Sequence, residues 1–266
     1  MKLSIITVNL NNKDGLQKTI DSVISQTFKD FEWIVIDGGS TDGSKELIEK
    51  YADHISYWVS EPDKGIYNAM NKGIRVARGE YVEFLNSGDI FYDNNTLYSV
   101  LSARKEADIL YTNTFILKGG NLERINYHND YLTCYRLTKR TINHQSAFIR
   151  RKLFYDYGFY DESLKIVSDW KFFFEAIVIK KCSVCHIDLN AIIYDQNGIS
   201  STNPIRLRDE RITVLKQYLP EYAIDDYMAR LEMNELLNHR FTRFIISFLY
   251  RIVVKLEKKG YIINSF

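Results

Sequence analysis

This chain is organised around the stretch Gly79-Glu-Tyr-Val-Glu-Phe-Leu-Asn-Ser-Gly-Asp89. Its first part reads as a buried β-strand, and its last part reads as a small, polar, acidic turn. In an α/β fold, ligands bind in the crevice outside the carboxyl ends of the strands. We therefore expect the turn that ends at Asp89 to form part of a binding site.

Three apolar runs rich in β-branched residues precede this stretch and are predicted to be strands: Leu3–Val8, Phe31–Asp37 and Ile55–Val59. Apolar residues at helical spacing separate them, most clearly between Leu16 and Ile24, and again over Tyr67–Ala77. Strands that alternate with helices indicate an α/β fold with a mostly parallel central sheet and flanking helices. The polar turns after such strands lie along one edge of the sheet.

The pattern is less regular beyond Asp89. It predicts a helix over Thr96–Ala103, a strand over Ile109–Leu117 and a hairpin turn at Gly119-Gly-Asn121. The pattern is helical from Pro204 to the end of the chain, with a break at Pro220. We therefore predict a domain of residues 1–203, divided into halves 1–90 and 91–203, and a C-terminal helical extension of residues 204–266.

The composition limits the classes of protein that fit. The chain has 266 residues and is 45% hydrophobic, enough for one large domain with a helical appendage. Its net charge of +1 provides no field that would recruit nucleic acid. Its three cysteines make no disulfide framework, and no apolar run suits a signal peptide or a transmembrane span. We expect a cytoplasmic location.

Asp37 ends a predicted strand and is followed by Gly38 and Gly39. A carboxylate here can accept hydrogen bonds from a base or a ribose, while the glycines let a ligand approach the backbone. The alternative is an Asp that caps the next helix. Neither G-x-G-x-x-G nor G-x-x-x-x-G-K-[ST] occurs, which disfavours an NAD-dependent oxidoreductase and excludes a P-loop.

Asp89 follows Asn86-Ser-Gly at the end of the Gly79–Asp89 stretch. A lone carboxylate among amide and hydroxyl groups suits a Mg²⁺ or Mn²⁺ ion, because these ions need few protein ligands when phosphates supply the others. The alternative is an Asx-type turn.

Two further polar positions allow a structural or a functional interpretation. His144 lies beside Gln145 in a loop that leads into a strand, where a lone histidine is often structural. Asp169 lies between Ser168 and Trp170 at the start of a predicted helix over Asp169–Lys180. It is either a carboxylate that the helix dipole favours, or a general base beside an aromatic platform for a sugar.

Together these motifs resemble family 2 glycosyltransferases of the GT-A fold, most closely bacterial enzymes that build exopolysaccharide, capsule or O-antigen. The likeness covers about residues 1–200. Six segments carry it, in this order: Val8–Asn12, Val35–Gly43, Asp63–Gly73, Phe84–Asp89, His144–Ser146 and Ser168–Trp170. Each motif alone is weak, and six in order at matching spacing are a strong signal.

The resemblance implies a role for each matching residue. Asp169 would be the catalytic general base, and Asp89 would be the carboxylate that binds Mg²⁺ or Mn²⁺. The residues expected to bind the nucleotide or the diphosphate are Thr7, Asn9, Asp37, Asp63, Lys72 and Ser87. The residues expected to face the acceptor or the donor sugar are His144, Gln145 and Trp170.

The implied activity is transfer of a sugar, with inversion, from a nucleotide-diphosphate sugar to a hydroxyl of a saccharide or lipid-linked saccharide in cell-surface polysaccharide synthesis. UDP is the expected nucleotide, with GDP and dTDP as alternatives. Residues 1–90 would bind the nucleotide, and residues 91–203 would bind the acceptor.

The chain departs from the family pattern at one motif. Family members often carry Asp-Ser-Asp-Asp where this chain has Asn86-Ser-Gly-Asp89. Two carboxylates are absent, which would weaken metal binding, although the last ligand position is kept. The departure leaves a second hypothesis open, a non-catalytic sugar-nucleotide-binding or scaffold protein of the same fold.

Residues 239–259 combine a strongly apolar stretch with flanking and interrupting basic residues. One interpretation is an interfacial helix that holds the protein peripherally on the inner face of the cell membrane. The alternative is a helix that packs on the catalytic domain or on a second subunit, the latter giving a homodimer.

Overall fold

The computed structural model describes residues 2–103, 106–118, 121–125, 132, 134–139, 141–195 and 203–238. The strands are β1 (Leu3–Asn9), β2 (Phe31–Asp37), β3 (Tyr57–Ser60), β4 (Tyr81–Phe84), β5 (Ile90–Phe91), β6 (Ile109–Lys118), β7 (Asn121–Ile125), β8 (Ala147–Arg150) and β9 (Val184–Asp195). They form one sheet in the order β3-β2-β1-β4-β8-β6-β9-β5, with β7 paired to β6.

Helices lie between these strands and after them. The α-helices are α1 (Lys13–Ile24), α2 (Ser44–Lys50), α3 (Ile66–Val76), α4 (Thr96–Ser102), α5 (Cys134–Lys139), α6 (Lys152–Tyr157), α7 (Ser168–Phe174), α8 (Pro204–Tyr218) and α9 (Glu221–Asn238). Short 3₁₀ turns occupy Ala52–His54 and His144–Ser146, and a π-helical segment, Glu175–Ile179, continues α7.

The first four strands are parallel, as the sequence predicts. β1 pairs with β2 and β4, and β2 pairs with β3. The register aligns the strand ends, so that Asn9 lies beside Asp37, which lies beside Ser60. The three strands therefore deliver their last residues to one edge of the sheet.

The remaining strands make the sheet mixed. β8 inserts antiparallel between β4 and β6, and β7 and β5 also pair antiparallel with their neighbours. β6 and β9 are parallel, with a register shift after Thr112 and Asn113. The expected mostly parallel arrangement thus holds for β1 to β4. The turn of the predicted hairpin includes Gly119 and Gly120, which lie outside the described residues, but β6 and β7 pair as a hairpin requires.

Two apolar layers cover the two faces of the sheet, because successive strand residues point to opposite sides. Ile6 and Val8 belong to one layer, with Ile74 of α3, and Ile5 belongs to the other, with Leu16 of α1. α3 lies close to β1 because Gly73 has no side chain: a Cβ there would be 2.5 Å from a methyl carbon of Ile6.

The described residues 204–238 are helical, with a break at Pro220 as predicted. One compact unit extends through Glu210, and a second begins at Arg211. The predicted boundary at residue 203 stays a prediction. Among the described residues, no helix has the length and apolar character needed to cross a membrane. The interfacial helix predicted for residues 239–259 lies outside the described residues.

Candidate active site

The edge formed by β1, β2 and β3 carries a hydrogen-bonded carboxylate. Asp37 is fully buried and accepts hydrogen bonds from Asn9 Nδ2 at 2.7 Å, Ser60 Oγ at 2.6 Å and Ser40 N at 2.9 Å, with a further bond from Ser40 Oγ. Burial alone would raise the pKa of Asp37, but these hydrogen bonds outweigh burial and hold the pKa below its ordinary value. Asp37 is therefore ionised at neutral pH.

Asn9 leaves an acceptor at the same edge. Its Nδ2 donates to Asp37, while its Oδ1 is buried and receives no hydrogen bond from the described residues. A buried acceptor without a donor is costly unless a ligand supplies one. The edge is thus able to accept a hydrogen bond from an N–H or O–H group of a ligand.

The turn after β4 is held by backbone and side-chain contacts. Ser87 N donates to Val8 O, and Asp89 N donates to Asn86 O. Thr19 Oγ1 of α1 accepts from Gly88 N at 3.0 Å and donates to Asp89 O at 2.8 Å. Gly88 adopts a φ of 103°, which favours glycine, and this conformation permits the tight turn. Asp89 is thereby held at the end of β4 with 7% of its surface exposed.

Asp63 and Lys72, both expected near the diphosphate, form an ion pair. Lys72 Nζ lies 2.6 Å from Asp63 Oδ1 and 2.7 Å from Glu61 Oε1. Partial burial would lower the pKa of Lys72, but the two carboxylates raise it overall. Its positive charge is shared between these partners, so a phosphate would have to compete with them.

The expected base, Asp169, is held by side chains from two other parts of the chain. Its Oδ2 lies 2.9 Å from His144 Nδ1, and its Oδ1 accepts from Tyr67 OH at 3.0 Å. Burial would raise the pKa of Asp169, but its hydrogen bonds, led by the one from His144, outweigh burial and lower it below its ordinary value. The carboxylate is ionised and 13% exposed.

His144 also connects Asp169 to the turn after β4. Its Nε2 lies 3.2 Å from Asn86 Nδ2, so Asn86, His144 and Asp169 form a continuous chain of contacts. Gln145 lies half-buried in the same 3₁₀ turn as His144. The structure therefore brings Asp169 and His144 next to the turn that contains Ser87 and Asp89.

Two expected site residues are buried and have hydrogen-bond partners inside the fold, and their roles toward a ligand stay predictions. Thr7 is fully buried, and its Oγ1 accepts a hydrogen bond from Trp33 Nε1 at 3.0 Å. Trp170 is 1% exposed, its Nε1 donates to Leu137 O at 2.7 Å, and its ring packs against Phe174. In this arrangement neither the Thr7 hydroxyl nor the Trp170 indole is exposed at the surface of the site.

The surroundings of Asp89 are compatible with a cation that also binds phosphates. Within the described ranges, no group of three or more His, Cys, Asp or Glu residues could hold a metal ion by itself. However, Glu83 is completely buried, and burial followed by the charge of Asp89 raises its pKa well above the ordinary value. A cation at this position would neutralise the negative charge of the Asp89 carboxylate. A diphosphate would have to supply the remaining ligands of the cation.

Several residues support the site through contacts that the sequence does not identify. Ser40 and Ser60 hold Asp37, and Tyr67 holds Asp169. Glu210 of α8 accepts hydrogen bonds from the backbone N–H groups of Lys165, Ile166 and Val167, just before Asp169. Ser40 and Tyr67 lie inside motifs quoted above, but nothing in the sequence identifies their partners.

Comparison with known proteins supports a common fold. S. aureus TarS 1-349, in complex with UDP-GlcNAc, matches with a TM-score of 0.67 and 19% identity over 90% of this chain and 73% of that chain. The chain spans 44% of the longer S. aureus TarS structure. The mannosyltransferase PcManGT from Pyrobaculum calidifontis, in complex with GDP-Man and Mn²⁺, matches with a TM-score of 0.62 and 13% identity over 98% of this chain and 83% of that one. These likenesses confirm the expected GT-A fold.

Sequence comparison identifies the family. A PGL/p-HBAD biosynthesis glycosyltransferase of Mycobacterium bovis is 32% identical over 182 residues, or 64% of this chain and 67% of that protein. The model of glycosyl transferase family 2 matches residues 4–160, more than half of the chain. The chain therefore belongs to glycosyl transferase family 2.

Proposed function

We propose that this glycosyltransferase moves a sugar, with inversion, from a UDP-sugar to a hydroxyl of a saccharide or lipid-linked saccharide in cell-surface polysaccharide synthesis. The observation that carries the proposal is the ionised carboxylate of Asp169, which His144 links to the turn that ends at Asp89. A base and a diphosphate-binding turn that are connected by contacts suit a reaction in which the acceptor hydroxyl displaces the diphosphate from the sugar in one step.

The nucleotide would bind at the edge of β1, β2 and β3. Asp37 can accept hydrogen bonds from a ribose or a base, and the unpartnered Oδ1 of Asn9 can accept another. Gly38 lets the side chains of Asp63 and Leu10 approach this edge closely, since an added Cβ would lie 3.2 Å from Asp63 Oδ2 and from Leu10 Cδ1. The complexes of TarS with UDP-GlcNAc and of PcManGT with GDP-Man support a nucleotide-sugar donor, and the first supports UDP.

Asp89 is the residue that would hold Mg²⁺ or Mn²⁺ together with the donor diphosphate. When bound, such an ion supplies positive charge against which a diphosphate can leave. The Mn²⁺ in the PcManGT complex supports a divalent cation in this fold. Because Asn86 and Gly88 replace carboxylates found in many family members, we expect the ion to bind weakly without the diphosphate.

Asp169 would act as the general base. Its low pKa keeps it ionised, and a weak base suffices because the acceptor hydroxyl needs to lose its proton only as the new glycosidic bond forms. The hydroxyl oxygen attacks the anomeric carbon, the bond from that carbon to the diphosphate breaks, and the proton passes to the Asp169 carboxylate. Attack opposite the leaving group inverts the anomeric configuration.

Calorimetric titration with UDP, GDP and dTDP, each with and without Mn²⁺, tests this proposal. We expect UDP to bind best, and we expect Asp89→Asn to abolish the enhancement by Mn²⁺. Asp53→Asn is the matched control, because it removes the same charge from an exposed residue in the Ala52–His54 turn. If none of the three nucleotides binds, the non-catalytic scaffold hypothesis replaces this proposal.

A further inference from the structure

The contacts of His144 favour one placement of the protons on its ring. Nδ1 faces the ionised carboxylate of Asp169 at 2.9 Å, and Nε2 faces the side-chain amide nitrogen of Asn86 at 3.2 Å. A carboxylate can only accept, so the proton of this contact is on Nδ1. An amide nitrogen can only donate, so Nε2 is the acceptor of the second contact and carries no proton.

The other titratable groups around Asp169 are neutral. Tyr67, on α3, donates to Oδ1, and Tyr160 lies near enough for the charge of Asp169 to affect it. Burial, followed by that charge, raises the pKa of both hydroxyls well above the ordinary value. Among these groups, Asp169 therefore carries the negative charge that orients His144.

We propose that Asn86 and His144 are positioning residues for the base: the amide of Asn86 holds His144 in its neutral Nδ1–H form, and that N–H orients Oδ2 of Asp169. The inference rests on the role of Asp169 in the proposed function. It assigns a purpose to the departure from the family motif. An aspartate at position 86 could not donate to Nε2, so it would draw a second proton onto His144 and place an imidazolium against the base.

The side chains are suitably confined for this role. His144 is 16% exposed and Asp169 is 13% exposed, so water competes weakly for their shared hydrogen bond. Hydrogen bonds to an ionised acceptor are stronger than neutral ones. The remaining lone pairs of the two Asp169 oxygens stay available to the proton of an acceptor hydroxyl.

Nitrogen-15 NMR of the full chain, labelled at histidine, tests the proposal without a substrate. The chain has five histidines, and the signals absent from His144→Ala identify this residue. At pH 7.5 we expect the neutral Nδ1–H form in the wild type and the doubly protonated form in Asn86→Asp. An Nε2–H or doubly protonated wild-type ring, or an unchanged ring in Asn86→Asp, would overturn the proposal.

Kinetics provide the second measurement, with the donor that the nucleotide titration selects. We expect His144→Ala to lower kcat about 10- to 100-fold, because small misplacements of a catalytic group cost about that much. UDP affinity should stay within about twofold, since UDP lacks the transferred sugar and His144 is not among the residues expected to bind the nucleotide. His144→Asn is the conservative variant, because its Nδ2 can replace Nδ1 as the donor to Asp169, and it should recover most of the loss.

The outcomes distinguish this inference from the proposed function. If Asp169→Asn is inactive while His144→Ala keeps the wild-type kcat, the positioning role is wrong and the base assignment stands. If Asp169→Asn is fully active, the base assignment itself is wrong. Should His144→Ala fail to fold, Asn86→Asp and His144→Asn carry both measurements.

Discussion

Replacing Glu210 with alanine should destabilise the segment that presents the base. Glu210 lies on α8, and its carboxylate accepts hydrogen bonds from the backbone N–H groups of Lys165 at 3.0 Å, Ile166 at 2.9 Å and Val167 at 3.3 Å. The carbonyl oxygen of Ile166 lies 2.6 Å from Tyr67 OH, which shares its one proton between this oxygen and Asp169 Oδ1. Glu210 thus fixes the segment from one side while α3 fixes it from the other.

The size of the effect follows from the groups left without an acceptor. Ile166 and Val167 are 7% and 2% exposed, so their N–H groups would lose a charged acceptor in largely buried surroundings. At about 1.5 kcal/mol for each group, the loss is about 3 kcal/mol. The ion pair of Glu210 with Arg206 adds little, since the Arg206 side chain is 50% exposed. For a folding unit of this size, the melting temperature should fall by about 6–12 °C.

Urea unfolding followed by tryptophan fluorescence measures this loss, because Trp33 and Trp170 are both buried. Asp209→Ala is the matched control, because Asp209 directly precedes Glu210 in the same helix and its side chain is 61% exposed. We expect a change below about 0.5 kcal/mol for the control. A free energy of unfolding for Glu210→Ala within about 0.5 kcal/mol of the wild type would refute the reasoning.

The pH dependence of a second variant, Glu210→Gln, provides an internal check. Burial would raise the pKa of Glu210, but its hydrogen bonds with Arg206 and with the backbone lower it below its ordinary value of 4.5. A lowered pKa in the folded state stabilises the protein above the unfolded pKa and ceases to do so as pH falls through the folded value. The advantage of the wild type over Glu210→Gln should therefore be complete above about pH 5 and shrink steadily below about pH 4.5.

Three further substitutions test other parts of the site. Asp169→Asn should abolish transfer and leave the dissociation constant of UDP within a few-fold by calorimetry, because the base does not contact the nucleotide; retained transfer would contradict the assignment. Thr7→Val should cost about 1–3 kcal/mol in urea unfolding, because the buried Trp33 Nε1 loses its acceptor; an unchanged stability would show that another group accepts this proton. Glu83→Gln should stabilise the protein increasingly as pH rises above 4.5, the ordinary pKa of a glutamate. The raised pKa of Glu83 makes the folded wild type retain a proton that the unfolded chain releases, so the wild type loses stability over this range and the variant does not. A pH-independent difference in melting temperature would exclude a neutral Glu83.

Much of the first half of the fold could be predicted from the sequence, because periodicity alone identifies buried strands and amphipathic helices. The parallel order of β1 to β4 follows from this alternation, and the meeting of Asn9 and Asp37 follows from the parallel register. The antiparallel insertion of β8 between β4 and β6 could not be predicted, since strand order depends on contacts between residues far apart in the chain.

The burial of Trp170 and of Thr7 was not predicted, for two separate physical reasons. Asp169 and Trp170 are consecutive residues of α7, and consecutive helical side chains point about 100° apart, so both could not face one ligand. Thr7 lies on the strand face that carries Ile5, where Trp33 Nε1 of the neighbouring strand donates a hydrogen bond to its hydroxyl. Glu210 was missed because its partners are 43 to 45 residues away and no local pattern marks such a contact.

The contact between Asn86 and His144 has a consequence for exchanging segments between relatives. Asn86 comes from the first ninety residues, and Asp169 comes from the part that follows them, so one hydrogen-bonded chain crosses the junction. A chimaera joined near residue 90 would combine one parent's residue 86 with the other parent's histidine and base. Such hybrids should retain donor binding and lose turnover unless position 86 is exchanged as well. Asn86, His144 and Asp169 therefore have to be taken from the same parent.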